Sequence, residues 1–516
     1  MILKKSKSIV PILVVLAITG WSSISISHAL DIPAQDKNGT SNSTHKSDDH
    51  DPTTTPSQRG ARVQRIGEIL DAYHSVDSFN GVALVAESGN IIFHKAYGPA
   101  NIEHGVPNTL RTRFRIASQT KIFTVILMLQ LVEEGLVELD EPIGAYLSIV
   151  RPDIATRVTA RHLLEHRSGI ERYYLPDEHD YSREFTTSDL LEAINENVEW
   201  EDSPGASVAY SNAGYVLLAA IIESVTDKPY ALVLQERILT PLEMHDTGVE
   251  DQVTEIIPRM ATGYRLRMGL YIHADRIGMS WVRGNGGIYS TAEDMFKFES
   301  AIRNRTLLSK AHHEYLFQKG EDTFALGWQV TANHDGFPKN TGGLAWARGA
   351  NTGGFRMQWT RQLDGGRVVM LFVNLDDSPR MEISQKIFHA LEGNDVTLPN
   401  QSPGDIVLES FRTQGAVEAK KVVERLTRDQ QTAAVYEFLE YGHHLIRANR
   451  AIEAIDIFTF CDKVSSDSPD ILSSLAYAHL KSGNKDLAAT LAQQALVAFP
   501  GNADALEVLT ESKKRP

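Results

Sequence analysis

The chain has 516 residues, 42% of them apolar and 23% charged, which is the composition of an ordinary globular protein with room for about two or three domains. A formal net charge of −15 disfavours nucleic acid and anionic membrane as partners. The single cysteine, Cys461, excludes an internal disulfide, so the fold must rest on its apolar core.

The N-terminus reads as an address. Lys4, Lys5 and Lys7 precede a short apolar run from Ile9 to Trp21, and Ser27-His28-Ala29 offers the small residues a signal peptidase needs. The run is too short to span a bilayer, so residues 1–29 are expected to be a cleaved signal peptide. The mature protein is then periplasmic or secreted, with no stable membrane span. Residues 30–61 are polar and poor in large apolar side chains, which predicts a disordered linker. Its His45, Asp48, Asp49, His50 and Asp51 fit a solvated acidic tract better than a metal site.

Residues 62–400 carry the main domain. A helix around Ile66–His74 leads to strand-like runs Gly81–Ala86 and Ile91–Tyr97, joined through the turn residues Ser88-Gly89-Asn90. Next comes Ile116-Ala117-Ser118-Gln119-Thr120-Lys121, followed by an aliphatic run from Ile122 to Val132 that is apolar on most faces. That pattern predicts a helix buried in the middle of a domain. Ser118 and Lys121, three residues apart at its start, share one helix face. A serine hydroxyl needs a neighbouring base to become a nucleophile, and a lysine can serve once burial lowers its pKa. Taken alone, the same pair also suits a solvated helix cap.

The segment His162–Ile170 predicts a helix stopped at Gly169. After the turn Ser203-Pro204-Gly205, Tyr210 and Asn212 stand at the start of a second apolar helix, Val216–Val225. Two residues apart in extended chain, they point to the same side, where a phenol can relay protons and a carboxamide can hold a substrate amide. A packed tyrosine with an asparagine cap is the structural alternative. Gly284-Asn285-Gly286-Gly287 precedes a capped helix starting at Ser290–Asp294. Strands are expected at Ala345–Ala350, Phe355–Trp359 and Val368–Val373, with turns at Asn351–Gly354 and Leu363–Gly366. Strands at both ends of the domain with helices between them predict an α/β (α+β) fold, an antiparallel sheet flanked by helices.

Beyond about Gln401 strand signals vanish. Corresponding residues, mostly small, recur 34 apart (Gly442 and Ala476, Ala454 and Ala488, Phe458 and Ala492, Cys461 and Ala495), and this spacing resembles tetratricopeptide repeats over residues 401–516. With few repeats, such a region should dock on its neighbour or on a protein or peptide partner. Cys461 falls at a packing position and reads as a buried thiol.

Ser118-Gln119-Thr120-Lys121 and Tyr210-Ser211-Asn212, in this order and spacing, resemble the serine beta-lactamase and penicillin-binding protein superfamily, nearest its class C branch. Leu163–Ile170, Gly286–Asp294, Leu326-Gly327-Trp328 and Gly353-Gly354-Phe355 support the likeness, which covers roughly residues 62–395. The resemblance implies acyl transfer: Ser118 as nucleophile, Lys121 and Tyr210 sharing general-base and general-acid duty, Asn212 orienting the substrate. It also implies an oxyanion hole from the N–H of Ser118 and one near Asn351. The third motif departs from the family's Lys-Thr-Gly or His-Thr/Ser-Gly. Arg348-Gly349-Ala350 stands there, with Asn351-Thr352-Gly353 as the alternative register. Arg348 keeps a cation that could meet a carboxylate, but efficient beta-lactam hydrolysis is not expected. The resulting expectation is an exported serine hydrolase acting on a small amide or ester, in the manner of a D-Ala-D-Ala carboxypeptidase, esterase or beta-lactamase. The alternative is an inactive scaffold that binds a partner through its repeats. No H-E-x-x-H, cysteine pair, P-loop or dinucleotide fingerprint is present, so no cofactor is expected.

Overall fold

The computed structural model describes residues 56–175, 183–267, 270–275, 277–318, 325–331, 335–339, 343–348, 352–363, 366–465 and 468–514. Residues 1–55, which hold the expected signal peptide and most of the expected linker, lie outside this set.

The first helix, α1, spans Pro56–Ser75, so the last six residues of the stretch read as linker are helical. Ile66, Ile69, Leu70 and Tyr73 anchor it in the core, and adding turns to an anchored helix costs far less than nucleating one. Strands β1 (Gly81–Glu87) and β2 (Asn90–Tyr97) form the expected hairpin. Ser88 (φ 50°) and Gly89 (φ 78°) are both left-handed, the backbone a tight two-residue hairpin turn requires.

Four further strands complete the main sheet: β3 (Gln329–Thr331), β4 (Leu344–Arg348), β5 (Arg356–Gln362) and β6 (Val368–Val373). Among the described residues it is a six-stranded sheet in the order β3-β4-β5-β6-β1-β2, antiparallel throughout. The late strand β6 pairs with the early strand β1 (Gly81 opposite Val373), closing the two ends of the domain onto each other.

Alternation along β1 and β6 divides two cores. Val82, Leu84, Met370 and Phe372 face the helical side, whereas Ala83, Val85, Leu371 and Val373 face the opposite layer. That second layer holds α1 and a late helix over Arg380–Leu391, whose Ile383, Ile387 and Phe388 pack beside Ile69 and Leu70. A sheet buried on both faces explains why its central strands read as continuous apolar runs.

The expected central helix, α2, spans Thr120–Glu133 and is buried on nearly all sides. Its aliphatic side chains from Ile122 to Leu131 pack in the larger core, each worth about 1.5–3 kcal/mol by burial. Helix α3 is shorter than its sequence suggests. It runs Ala160–Leu164 and ends well before Gly169, because His166 itself turns left-handed (φ 56°). Thr159 caps it, exchanging hydrogen bonds with His162. The second apolar helix, α4, spans Asn212–Thr226; Ser211, not Asn212, is its cap, accepting from the Gly214 N–H at 3.1 Å. A strand over Ile288–Ser290 separates the glycine-rich segment from helix α5, Ala292–Arg303, capped by Thr291.

From Pro403 the described chain is helical to Ser512. Helices over Arg428–Arg447 and Ala451–Val464 form one pair, and Pro469–Lys481 and Lys485–Ala498 another. The residues spaced 34 apart occupy matching places on these helices and all are buried. Gly442 lets its helix approach Phe458, where a Cβ would come within 2.4 Å of the ring. Cys461 is buried, as its position predicted. Among the described residues no helix is long and apolar enough to cross a membrane.

Candidate functional site

The site is built where α2 meets the sheet. Phe114 and Arg115 pair with Tyr289 and Ser290, and the N–H of Ile116 donates to Ile288 O at 3.0 Å. Ala117 then turns left-handed (φ 50°), a conformation that costs an alanine free energy and recurs at functional sites. A 3₁₀ turn over Ala117–Gln119 holds Ser118 just ahead of the first turn of α2.

Gln119 secures that turn from below. Fully buried, its Nε2 donates to Ala347 O of β4 at 2.9 Å and to Met357 O of β5 at 3.3 Å. The Ser118 turn and the two strands beside it are thus tied by one side chain. Thr120 and Thr124 fasten the other side: Thr120 Oγ1 accepts from Ile288 N at 3.2 Å, and Thr124 Oγ1 donates to Gly284 O at 2.6 Å.

Lys121 is 1% exposed, and its Nζ lies 3.4 Å from Ser118 Oγ, 3.0 Å from Asn212 Oδ1 and 2.9 Å from Asn285 O. Burial, reinforced by the Arg172 guanidinium, holds its pKa well below the ordinary lysine range. The Tyr210 and Tyr215 rings, 4.8 and 5.3 Å from Nζ, give the charged form a partial refuge. An amine that is buried yet supplied with acceptors can both take and release a proton.

Tyr210 O–H donates to Ser118 Oγ at 2.8 Å. Burial raises its pKa, against the smaller opposing effects of Ser118 and Arg172, so at neutral pH it rests as a phenol. Asn212, in the first turn of α4, gives its carbonyl oxygen to Lys121 and keeps its NH₂ as a donor for other partners. The common facing of Tyr210 and Asn212, expected from their spacing, is what the structure has.

Three contributors were not legible in the sequence as site residues. Asn285 belongs to the glycine-rich segment, where Gly284 (φ 73°) packs so closely that a Cβ would sit 2.6 Å from that of Ala219. This close approach brings the Asn285 carbonyl to Lys121. His166 is buried with its ring 4.7 Å from that of Tyr210 and 5.0 Å from that of Tyr215. Its Nδ1 accepts the Ser211 N–H at 3.2 Å and its carbonyl accepts the Ala209 N–H at 2.8 Å, so it fixes the extended segment bearing Tyr210. Burial, then the neighbouring Lys121 and Arg172 charges, pushes its pKa down to about 3. Gln119 is the third; a long polar side chain immediately before a buried, largely aliphatic helix was its only signal.

Arg348 is the last residue of β4, its backbone opposite Gln358. Its side chain, together with Gly349, Ala350 and Asn351, lies outside the described residues, as does the expected second oxyanion donor near Asn351. Among the described residues no group of three or more His, Cys, Asp or Glu is placed to hold a metal ion.

The beta-lactamase family profile matches residues 69–394. A penicillin-binding protein of Bacillus subtilis (strain 168) is 27% identical over 398 residues, covering 72% of this chain and 84% of the relative. A teichoic acid D-alanine hydrolase of Staphylococcus aureus (strain NCTC 8325 / PS 47) is 26% identical over 272 residues, covering 50% of this chain and 64% of the relative. Among solved structures, a D-amino acid amidase from Ochrobactrum anthropi SV3 superposes with a TM-score of 0.54 at 26% identity, over 64% of this chain and 99% of its own. With the family profile spanning residues 69–394, and with the antiparallel sheet, buried helix and serine–lysine–tyrosine cluster described above, the chain belongs to the beta-lactamase family of penicillin-binding-protein-like hydrolases.

Proposed function

We propose that this chain is an exported serine hydrolase of the class C type that cleaves a small amide or ester through an acyl-enzyme, with D-amino-acid acyl compounds as its substrate class. The observation that carries the reading is the geometry at Ser118, whose Oγ lies 2.8 Å from the Tyr210 hydroxyl and 3.4 Å from Lys121 Nζ. The substrate class is supported by the relatives named for D-alanine hydrolysis and D-amino acid amides.

In this mechanism neutral Lys121 takes the Ser118 proton as Oγ attacks the carbonyl carbon. The resulting ammonium is held by Asn212 Oδ1 and Asn285 O. Tyr210, a phenol at rest, gives its proton to the departing amine or alcohol as the scissile bond breaks. The acyl-enzyme then stands beside an ammonium and a phenolate. In the second half the phenolate takes a proton from water, whose oxygen adds to the acyl carbon. Lys121 returns its proton to Ser118 as the acid leaves, and every group regains its starting state. The Ser118 N–H contributes to the oxyanion hole, and Asn212 NH₂ holds the acyl carbonyl side. Arg348 is proposed as the strand cation in place of the family's third-motif lysine.

The test is labelling with a fluorophosphonate or penicillin, located by mass spectrometry, alongside turnover of a p-nitrophenyl ester. Wild type should be modified at Ser118 and Ser118→Ala should not; equal modification of the two removes Ser118 from the mechanism. The departure at Arg348-Gly349-Ala350 favours a second reading, an inactive scaffold whose helical repeats bind a protein or peptide. Wild type that neither labels nor turns over any ester selects it. Export predicts that N-terminal sequencing of the mature protein starts at Leu30.

A further inference from the structure

Arginines around the site are mostly neutralised. Arg115, three residues before the nucleophile, is paired bidentately with Glu250 at 2.9 and 2.6 Å. Arg113 is paired with Asp246, Arg283 with Asp251 and Arg161 with Asp140. Arg172 differs. It is exposed, and its guanidinium carbon lies 5.0 Å from the ring centroid of Tyr210 and 4.9 Å from that of Tyr173. Among the described residues its guanidinium makes no ion pair with a carboxylate.

Its backbone is not loose. The Arg172 carbonyl accepts the N–H groups of Asn212 at 3.1 Å and Ala213 at 3.3 Å, which fastens it to the start of the helix carrying Asn212. The charge therefore stands one tyrosine ring away from Ser118 and is held between two aromatic faces. A guanidinium stacked in this way keeps its N–H edge available, and that planar fork matches a carboxylate or phosphate. Its charge is felt at Lys121, His166 and Tyr210, each of which it biases toward losing a proton.

We propose that Arg172 is a specificity-determining residue of this hydrolase, receiving a carboxylate or phosphate that the substrate carries on the Tyr210 side of the scissile bond. The assignment rests on the hydrolase reading given above. It supplies an anion-recognising group from the loop fastened to the start of α4, independent of the strand that bears Arg348. A phenolate forming at Tyr210 during turnover would meet the same positive field, so the residue couples recognition of an anionic substrate to the proton transfer.

The experiment uses matched esters with the full mature chain. One pair places the anion on the leaving group (3-acetoxybenzoate against phenyl acetate); the other places it on the acyl group (the mono-p-nitrophenyl ester of suberic acid against p-nitrophenyl octanoate). Wild type should prefer the anionic member of at least one pair, and the pair that responds shows which half of the substrate meets Arg172. Arg172→Gln should cut that preference by about tenfold, the worth of one charge-assisted hydrogen bond, with most of the loss in KM. Arg172→Lys should restore part of it, and added salt should erode it in wild type. Equal losses on anionic and neutral esters in Arg172→Gln, or a wild type without charge preference, overturn the assignment while leaving the hydrolase intact. A wild type that hydrolyses none of the four esters and takes no label at Ser118 removes the hydrolase reading, and this inference with it. Aryl phosphate-bearing esters in place of the carboxylates separate the two anion chemistries.

Discussion

Acid should destabilise the fold of this protein through His166. The residue is buried against Tyr210 and Tyr215, its Nδ1 accepts the Ser211 N–H, and its pKa is pushed down to about 3. In the unfolded chain the same imidazole titrates near its ordinary value of about 6.5. A depressed native pKa means the unfolded state binds the extra proton in this window. The contribution is therefore fully present above about pH 6.5 and is lost as the pH falls toward about 3. Linkage between those two values gives a loss of about 2.5 kcal/mol on going from about pH 7 to about pH 4.5, a sizeable share of a typical domain's stability. The control is His166→Asn. An asparagine carbonyl reaches the Ser211 N–H from about the Nδ1 position, cannot be protonated, and tolerates the left-handed backbone (φ 56°) found there. The variant should start about 1–3 kcal/mol less stable at neutral pH because the ring's packing is lost. It should nonetheless lose less than wild type between the two pH values, as measured by urea unfolding followed by circular dichroism. Parallel losses in the two proteins would refute the reasoning, since carboxylates elsewhere titrate identically in both.

Tyr210→Phe should fold normally and lower kcat by about 100-fold or more on an amide, whose leaving group needs a proton, and by less on a p-nitrophenyl ester, whose leaving group does not. Gln119→Leu removes the two hydrogen bonds to Ala347 O and Met357 O; a fall in stability of about 1–3 kcal/mol in thermal melts and slower probe labelling of Ser118 are expected, and an unchanged labelling rate would count against its positioning role. Cys461, its thiol pushed up to about 12 by burial, should ignore a thiol reagent in the native protein and react fully once urea is added.

Local signals carried the fold well. The apolar run Val368–Val373 is a strand to the residue, its short length, turn-bounded ends and three valines favouring a strand buried on both faces over a helix. Ser118, Lys121, Tyr210 and Asn212 were legible because their spacings put them on shared faces of short elements. The remaining parts of the site depend on contacts between distant segments. His166 was hidden by its neighbour: Gly169 offers an obvious helix stop, yet the chain breaks earlier, where the imidazole is drawn under Tyr210. Asn285 acts through its backbone carbonyl, which any residue possesses, and Gln119 acts on strands more than two hundred positions away. The 34-residue spacing, by contrast, was legible because its positions are buried between consecutive helices, as Gly442 is against Phe458, a contact between segments close in the chain.

The Gln119 carboxamide beneath Ser118 has a mechanical consequence. One amide nitrogen grips carbonyls on two adjacent strands, so the serine cannot be pushed away from the sheet without dragging both strands with it. Under the proposed hydrolase reading, adjustment to a bulky substrate would then come more readily from the side of Arg172 and Asn212 than from a shift of the Ser118 turn against the sheet.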